Sequence, residues 1–259
     1  MNRVVETMYF SPTHNSYNIV RTVSDSLMKR VSGFAHETNL TLPAQREKNY
    51  TFTADDVLLL GFPVYRGRVP LPLREALQHL QGDNTPVVLI ASYGNRAYDD
   101  ALVEARDILH ENGFIVIAAA AFIGKHTYSK KLGVGRPDAN DLSIADGFGR
   151  QVAGKINART LHPAKIKGNV PYCEQKHTLS LIPLTNENCS RCLVCVEVCP
   201  MGAISRDDPA SIAQSCIGCS ACVEACPSSA KFFDAAVLDP LANMLETANP
   251  FRRETEFFF

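Results

Sequence analysis

The sequence lacks an excess of charge of either sign. Its 259 residues include 26 Lys and Arg against 27 Asp and Glu, which gives a formal net charge of −1. Proteins that bind nucleic acids or anionic membranes through long-range electrostatics usually carry a marked basic excess. The overall charge therefore points to neither nucleic acid nor a membrane surface as a partner.

Long apolar runs are also missing. The longest one, residues 114–123, is too short to cross a bilayer, and the first ten residues contain Glu6 and no extended apolar core of the kind found in signal peptides. We therefore expect a cytoplasmic protein without a membrane span. The 46% apolar content suffices for an ordinary core, and the length predicts two domains rather than one.

A third absence concerns nicotinamide binding. The chain contains no Gly-x-Gly-x-x-Gly loop, and the pair Gly133 and Gly135 is too little to replace one. That loop brings the backbone close to a dinucleotide pyrophosphate. Direct binding of a nicotinamide cofactor therefore lacks support in the sequence.

The sequence does contain two cysteine runs with the same spacing. Each run has three cysteines at intervals of three residues and a fourth, four residues further on, that precedes a proline. Three such thiolates on one loop can face one iron–sulfur cube, and in two-cluster proteins the fourth ligates the other cluster. The first predicted 4Fe–4S cluster has the ligands Cys189, Cys192, Cys195 and Cys226, and the second has Cys199, Cys216, Cys219 and Cys222.

Two other interpretations of these cysteines are weaker. Structural zinc favours two separated pairs of ligands rather than a packed triplet with a distant fourth. A disulfide framework suits a secreted protein, and nothing secretory precedes these residues. Thiolate ligation favours a reducing, oxygen-poor interior, and the remaining Cys173 is expected to be an unpaired thiol in a connecting segment.

Residues 1–158 alternate between strand and helix patterns. Ile19, Val23, Leu27 and Val31 recur every four residues, as on one face of a helix. This alternation predicts an open, doubly wound parallel sheet of about five strands, with its ligand at the carboxyl ends of the strands. The predicted strands are residues 4–10, 36–42, 57–61, 86–91 and 114–122.

Three loops are expected to meet at that edge of the sheet. The loop after the first strand is rich in hydroxyl and amide groups and enters a helix N-terminus, a position suited to a phosphate, although an ordinary capped turn would look similar. The loops after the third and fourth strands carry Tyr65, Tyr93 and Tyr98. Together the three loops describe a site for a flat, phosphorylated ring.

These residues resemble a known family. Residues 11–16 are similar to the flavodoxin phosphate loop, and the segments 63–70, 93–100 and 120–126 resemble phrases that recur in proteins that fuse a flavodoxin-like domain to a ferredoxin. The resemblance covers nearly the whole chain apart from the tail. It implies a flavodoxin-like fold for the first domain, FMN as its cofactor, two 4Fe–4S clusters and electron transfer.

The resemblance also implies site residues. The phosphate would be held by Ser11, Thr13, His14, Asn15 and Ser16. The isoalloxazine ring would be lined by Pro63, Val64, Tyr65, Arg66, Gly67, Ser92, Tyr93, Gly94 and Asn95, with Tyr65 or Tyr98 stacked on it. His14 departs from the flavodoxin pattern, which has glycine there, so either the loop is reshaped or His14 donates to the phosphate.

The expected domains are a flavodoxin-like FMN-binding domain at 1–158, a linker at 159–183, a ferredoxin domain at 184–234 and a partly helical tail at 235–259. The linker includes a plausible edge strand at 179–184. Asp239 and Pro240 are predicted to open the tail helix. The terminal residues 257–259 are all phenylalanine, so they either dock on a neighbouring domain or a second chain, as in a homodimer, or fray.

The predicted function is a relay between a flavin and two clusters, which exchanges electrons with redox partner proteins and needs no catalytic acid or base. The alternative is a flavin-dependent reductase of a small molecule, with His126, Tyr128 and Lys130 on the substrate side; a regulatory iron–sulfur sensor is a third interpretation. Arg66, Arg68 and Arg96 flank the ring loops, so we expect a flavin that is easier to reduce fully than in acidic flavodoxins, unless these charges are merely solvated.

Overall fold

The computed structural model describes residues 3–174 and 181–259. The elements of the first part are β1 (Val4–Tyr9), α1 (Asn15–Met28), β2 (Phe34–Asn39), α2 (Pro43–Arg46), β3 (Tyr50–Thr51), β4 (Val57–Pro63), α3 (Leu71–Leu77), β5 (Leu80–Gln81), β6 (Thr85–Tyr93), α4 (Ala101–Glu111), β7 (Phe114–Ile123) and α5 (Ala139–Asn157). Those of the second are β8 (Leu184–Thr185), α6 (Val194–Glu197), α7 (Ala221–Glu224), β9 (Lys231–Phe232), α8 (Ala235–Ala248) and β10 (Glu256–Phe258).

The main sheet has the order β10-β7-β6-β4-β1-β2. Every neighbouring pair from β7 to β2 is parallel. Counted along the chain, these five parallel strands have the order 2-1-3-4-5, which is the flavodoxin-like form of the doubly wound sheet. The predicted α/β fold with five parallel strands is therefore confirmed.

Helices cover both faces of this sheet, which is why the central strands are apolar on both sides. Residues of α1 and α5 pack in one apolar cluster with inward side chains of β1, β4, β6 and β7. Residues of α3 and α4 pack in a second cluster on the opposite face. All nine residues of β6 are buried, as expected for a strand between two helical layers.

The second strand begins and ends earlier than predicted. The expected range was 36–42, whereas β2 comprises Phe34–Asn39. The chain must turn after Asn39 because Pro43 is the first residue of α2, and the Asn39 side chain accepts the Thr41 backbone N–H at 2.8 Å. The strand lies at the sheet edge with most of its residues exposed, so its sequence lacks the apolar pattern that would have marked its limits.

The connector after α5 packs along the first domain. The Ala164 backbone N–H donates to the Val116 carbonyl at 2.8 Å, and the Asn169 and Cys173 backbone N–H groups donate to the two carboxylate oxygens of Asp100 at 2.7 and 2.6 Å. The expected edge strand at 179–184 lies partly outside the described residues, and Leu184 itself belongs to β8. The connector is therefore held by the first domain over its described part.

The tail helix starts one turn earlier than predicted. Asp239 and Pro240 were expected to open it, but Asp234 caps α8 by accepting the Ala236 backbone N–H at 2.9 Å. Pro240 consequently lies inside the helix. Because proline has no backbone N–H, the Ala236 carbonyl four residues earlier lacks its usual partner within the helix.

The final residues add a sixth strand to the sheet. β10 pairs antiparallel with β7, and its Phe257 ring stacks on Phe148 of α5 with centroids 4.9 Å apart. Phe258 is 6% exposed and meets Tyr98 edge to face. The phenylalanine ending thus docks on the chain's own first domain. Among the described residues, every helix is too short or too polar to cross a membrane.

The docking of β10 predicts a large difference between two tail phenylalanines. Phe258→Ala should lower the free energy of unfolding by about 3 kcal/mol, the usual loss for a buried phenylalanine. Phe251→Ala is the control, because that side chain is 81% exposed and its removal should change stability by less than about 0.5 kcal/mol. Anaerobic urea denaturation followed by circular dichroism measures both, and equal effects would show that the tail does not dock.

Candidate functional site

The eight cysteines of the two runs line two separate cavities. One cavity is lined by Cys189, Cys192, Cys195 and Cys226; we call these the outer cysteine group. The other is lined by Cys199, Cys216, Cys219 and Cys222; we call these the inner cysteine group. Each cavity thus brings together a triplet from one run and the fourth cysteine of the other, the same grouping as in the sequence-based assignment.

The two runs also adopt the same backbone conformation. Arg191 and Gly218, two residues after the first cysteine of each run, have φ angles of 55° and 64°. Leu193 and Ser220, two residues further on, have φ angles of 64° and 69° and cap the short helices α6 and α7. Left-handed conformations are costly for side chains other than glycine. Their repetition at equivalent positions shows that the two cysteine loops have the same backbone shape.

The cysteines surround volumes rather than points. Within residues 3–174 and 181–259, no group of three or more His, Cys, Asp or Glu side chains converges closely enough to bind a single metal ion. A zinc site requires such convergence, with all its sulfur ligands about 2.3 Å from one atom. The four cysteines of each group are instead spread around the wall of their cavity.

Backbone N–H groups point at several of these sulfurs. The Ala203 N–H donates to the Cys199 sulfur at 3.3 Å, and the Ala230 N–H donates to the Cys226 sulfur at 3.2 Å. Such bonds favour the thiolate. Burial nevertheless raises the pKa of Cys219 to about 12 and that of Cys222 to about 11, so these thiols ionise at neutral pH only when a bound metal supplies compensating charge.

A third, much larger cavity of about 560 Å³ lies at the carboxyl ends of β1, β4 and β6; we call it the flavin cavity after the cofactor that the sequence resemblance implies. Its size is typical of a small-molecule or cofactor site. The predicted residues that line it are Ser11, Thr13, Asn15, Ser16, Pro63, Val64, Tyr65, Arg66, Gly67, Ser92, Tyr93 and Gly94. Since α1 begins at Asn15, a helix N-terminus faces the phosphate end. The residues present therefore fit FMN.

Two of the predicted phosphate hydroxyls already have protein partners. The Ser16 hydroxyl lies 2.7 Å from that of Ser92, which ties the start of α1 to the end of β6. The Ser11 hydroxyl accepts the Tyr17 backbone N–H at 3.0 Å. These two side chains therefore shape the loop, and the Asn15 side-chain amide likewise donates to the Lys125 carbonyl at 3.4 Å. Thr13 and the backbone at the start of α1 are better placed to contact a phosphate at the helix N-terminus.

His14 does not line the flavin cavity. Its side chain is exposed and lies edge to face against Tyr17. The residue has a φ angle of 61°, which is the left-handed conformation that the flavodoxin glycine would take without strain. The loop thus keeps the backbone shape of the glycine pattern, and the imidazole lies outside the cavity wall, so the role of His14 as a phosphate donor stays a prediction.

Asn95 and Tyr98 are likewise absent from the cavity wall. The Asn95 side-chain amide donates to the Phe251 carbonyl and accepts the Arg253 backbone N–H, both at 2.9 Å. Tyr98 is buried in the core beside Tyr93 and Phe258. Both side chains were predicted at the ring, but in the structure they contact the C-terminal segment instead. Tyr65 remains as the predicted stacking tyrosine at the cavity.

Parts of the cavity wall come from segments that the sequence did not indicate. The cluster domain contributes Ile217 and Gly218, which lie between two cysteines of the inner group. Helix α8 contributes Leu241, Met244 and Leu245. Position 218 requires glycine, because a Cβ atom there would meet the Tyr128 hydroxyl at 2.4 Å. That hydroxyl instead donates to the Gly218 carbonyl at 2.7 Å.

Ile217 lines both the flavin cavity and the inner cysteine cavity. The two cavities are therefore separated by a wall one residue thick. The outer and inner groups are joined as well, since Cys195 and Cys222 pack with Ile204 in one small apolar cluster. The three cavities consequently form a series, with the inner group in the middle.

His126 lines the flavin cavity, as does Tyr128, whereas Lys130 does not. The His126 Nδ1 atom accepts the Tyr128 backbone N–H at 3.0 Å, which places the ring proton on Nε2. Burial, aided by the charge of Arg96, lowers the pKa of His126 to about 4. Its ring rests on Gly94, where a Cβ atom would meet it at 2.4 Å. The side chain is thus a neutral donor at physiological pH.

The three arginines near the ring loops have different surroundings. Arg68 is turned away from the flavin cavity: its guanidinium binds the buried Glu104 carboxylate through two bonds of 2.9 and 2.7 Å. Arg66 and Arg96 do line the cavity. Arg96 is partly exposed and pairs with Asp99. The expectation of a positive field at the ring therefore applies to Arg66 and Arg96 but not to Arg68.

The left-handed conformation at position 14 predicts how substitutions there affect FMN binding. His14→Gly should leave FMN affinity within about threefold of the original, since glycine accepts this φ without strain. His14→Val should weaken it by about tenfold, because a β-branched residue disfavours that conformation by more than 1 kcal/mol. Fluorescence titration of flavin-free protein with FMN measures both. An equal loss in the two variants would mean that the imidazole itself binds the phosphate.

Replacing the cavity arginines should make the flavin harder to reduce. Arg66→Ala and Arg96→Ala are each expected to lower the flavin potentials by tens of millivolts, because a half-exposed charge contributes up to about 1 kcal/mol and a tenfold change in a one-electron equilibrium corresponds to about 59 mV. Arg74→Ala is the matched control, since Arg74 lies on α3 and does not line this cavity. Spectroscopic redox titration provides the measurement, and unchanged potentials in all three variants would refute the effect.

Comparison with known proteins separates the two parts of the chain. Residues 172–231 match the family described as a 4Fe-4S dicluster domain. No curated protein matches the chain. Solved structures similar to it include a flavodoxin from the domain Archaea, with a TM-score of 0.44 and 12% identity over 60% of this chain and 99% of that one.

Two further similar structures carry flavodoxin or azoreductase names. The two-electron reduced flavodoxin of Megasphaera elsdenii has a TM-score of 0.38 and 17% identity over 58% of this chain and 98% of that one. The FMN-dependent NADH-azoreductase of Bacillus anthracis str. Ames Ancestor has a TM-score of 0.39 and 11% identity over 60% and 99%. At such values the fold assignment rests on the strand order. The chain joins a flavodoxin-like α/β domain to a 4Fe–4S dicluster domain, which is the arrangement of a flavodoxin–ferredoxin fusion.

Proposed function

We propose that this protein is an electron-transfer iron–sulfur flavoprotein. It holds FMN in the flavin cavity and one 4Fe–4S cluster in each cysteine cavity, and it relays electrons among these centres and to or from redox partners. A flavin exchanges one or two electrons, whereas each cluster exchanges one, so a chain that carries both can join two-electron and one-electron chemistry. The ligands would be the outer and inner cysteine groups, as assigned above.

The observation that carries this proposal is the shared wall at Ile217. A cluster bound by Cys216 and Cys219 would lie on one side of this side chain and the flavin on the other. The Tyr128 hydroxyl donates to the Gly218 carbonyl at 2.7 Å, and this hydrogen bond between the two domains supports the position of the inner cysteine cavity beside the flavin cavity. The Lys125–Glu224 ion pair of 3.3 Å and the 2.7 Å bond from Arg46 to the Pro200 carbonyl add to this docking.

The roles of the protein side chains follow from their positions. Thr13, Asn15 and the start of α1 would bind the phosphate, and Tyr65 and Tyr93 would contact the ring. Burial raises the pKa of Tyr65 well above its usual value and that of Tyr128 to about 12. Both phenols therefore remain neutral, and neither places a negative charge beside a flavin that becomes anionic on reduction.

A second function has support from one observation. His126 and Tyr128 line the flavin cavity together with apolar side chains of α8, so the cavity offers both a neutral donor and an apolar surface to a small molecule. This favours a flavin-dependent reductase that is supplied through its own cluster domain. The phenylalanine ending, which had suggested a homodimer, is used within the chain.

The cofactor content tests the main proposal. Anaerobically prepared protein should contain roughly eight iron and eight sulfide ions and one FMN per chain, and its reduced form should give the EPR signal of two interacting 4Fe–4S clusters. Cys192→Ser should lower the iron content by about half while the FMN remains. Cys173→Ser is the matched control, because Cys173 lines neither cysteine cavity and should leave the iron content unchanged. Protein that contains zinc, or no FMN, contradicts the proposal.

A further inference from the structure

Helix α8 covers the flavin cavity rather than a part of the core. None of its residues is fully buried, although most of them are apolar. Its side chains Leu241, Met244 and Leu245 line the cavity. An apolar helix surface outside the packed core can still be stabilised by contact with a ligand, because burying apolar area against a bound molecule is favourable. We therefore expect the apolar side of α8 to contact the molecule bound in the flavin cavity.

The segment that contains α8 is attached to the first domain at several points; we call residues 235–258 the C-terminal strap. Glu246 of α8 accepts the Ser129 hydroxyl at 2.7 Å and pairs with Lys131 at 2.8 Å. The Asn95 side-chain amide bonds the backbone of residues 251 and 253, and β10 joins the main sheet. The strap thus begins at the cluster domain, passes over the cavity and ends in the sheet.

The cluster domain closes another side of the same cavity through Ile217 and Gly218. Two sides of the flavin cavity are consequently occupied by this chain's own segments. A redox protein that approached the flavin from either of these two sides would have to displace the strap or the cluster domain. A small molecule needs only the space left inside the cavity.

The outer cysteine group lies in a different environment. Cys192 is exposed, as are its neighbours Ser190 and Arg191. The cavity of this group shares no lining residue with the flavin cavity. A cluster bound there would be accessible to a surface that docks over Cys192.

Exposed carboxylates predominate around this surface. Glu187 precedes the outer group, and Asp207 and Asp208 lie next to Pro209, which lines its cavity. The nearby cations are Arg191, whose guanidinium binds the Asp207 carbonyl at 2.5 Å, and Arg206, which pairs with the exposed Glu197 carboxylate. Lys231 also lines the cavity but is buried, so the exposed carboxylates Glu187, Glu197, Asp207 and Asp208 outnumber the exposed cations. A net negative surface attracts a partner with a basic face and raises its rate of association.

We propose that protein redox partners with a basic docking face exchange electrons at the surface around Cys192, and that the strap reserves the flavin cavity for small molecules. This inference rests on the proposed function, since it assigns the two ends of the same relay to different partners. The Cys192 surface is the protein-docking end, and the flavin cavity is the small-molecule end.

The experiment compares two acceptors and two tryptophan variants. Holoprotein reduced anaerobically with stoichiometric dithionite is mixed in a stopped-flow instrument either with ferric cytochrome c, a basic protein that takes one electron, or with a water-soluble benzoquinone, which takes two electrons and two protons from solvent. Asn188→Trp places a large side chain on the exposed residue beside Cys189. Met244→Trp fills part of the flavin cavity.

We expect opposite effects. Asn188→Trp should slow cytochrome c reduction at least fivefold and leave quinone reduction within twofold. Met244→Trp should slow quinone reduction at least fivefold and leave cytochrome c reduction within twofold. Raising the ionic strength should slow only the reaction with cytochrome c. Gln151→Trp, an exposed position of α5 that lines none of these cavities, is the control for adding a tryptophan and should change neither rate.

A readout independent of turnover is hydrogen exchange at low salt. Added zinc-substituted cytochrome c should protect backbone amides of residues 187–193 and leave those of α8 unchanged. Protection of α8 instead, or a cytochrome c rate that falls only in Met244→Trp, would overturn the inference. If the loaded wild-type protein passed electrons to neither acceptor, the proposed function itself would fail; normal wild-type rates with the reverse variant pattern would contradict the inference alone.

Discussion

The arrangement of this protein depends on one contact, the insertion of a cluster-binding loop into the wall of the flavin cavity. Ile217 and Gly218 lie between Cys216 and Cys219, so the residues that shape the inner cysteine cavity also bound the flavin cavity. Gly218 has a φ of 64° and no side chain, which lets the Tyr128 hydroxyl reach its carbonyl. The same short loop therefore forms part of the wall of both cavities.

The cluster domain has little core of its own. Its apolar cluster is centred on Cys195, Ile204 and Cys222, so cysteines of both groups make up much of the interior. Small domains of this size usually need a metal or another staple for stability. The two cysteine runs fold into loops of the same shape because each must wrap a similar group, and this explains why residues such as Leu193 and Ser220 accept left-handed backbone angles.

The C-terminal strap gives the first domain a boundary that the doubly wound sheet alone would lack. In an open α/β sheet, the ligand lies in a crevice outside the carboxyl ends of the strands, where it is accessible from solvent. Here α8 lies over that crevice and β10 extends the sheet beside β7. The same segment is hydrogen-bonded to the Asn95 side-chain amide, so the loop after β6 contacts the tail as well as lining the cavity.

The sequence by itself determined the features that depend on local spacing: the cysteine pattern of both groups, the alternation of strands and helices, and the loop from Ser11 to Ser16. These could be predicted because ligand spacing and apolar periodicity are properties of a few neighbouring residues. Only the tertiary structure decided that His14 faces solvent and that Asn95 and Tyr98 contact the C-terminal strap. It also decided that Arg68 binds Glu104 and that α8 covers the cavity. The apolar pattern of a helix is the same whether it packs on a core or a cofactor site, because burial depends on segments distant in sequence.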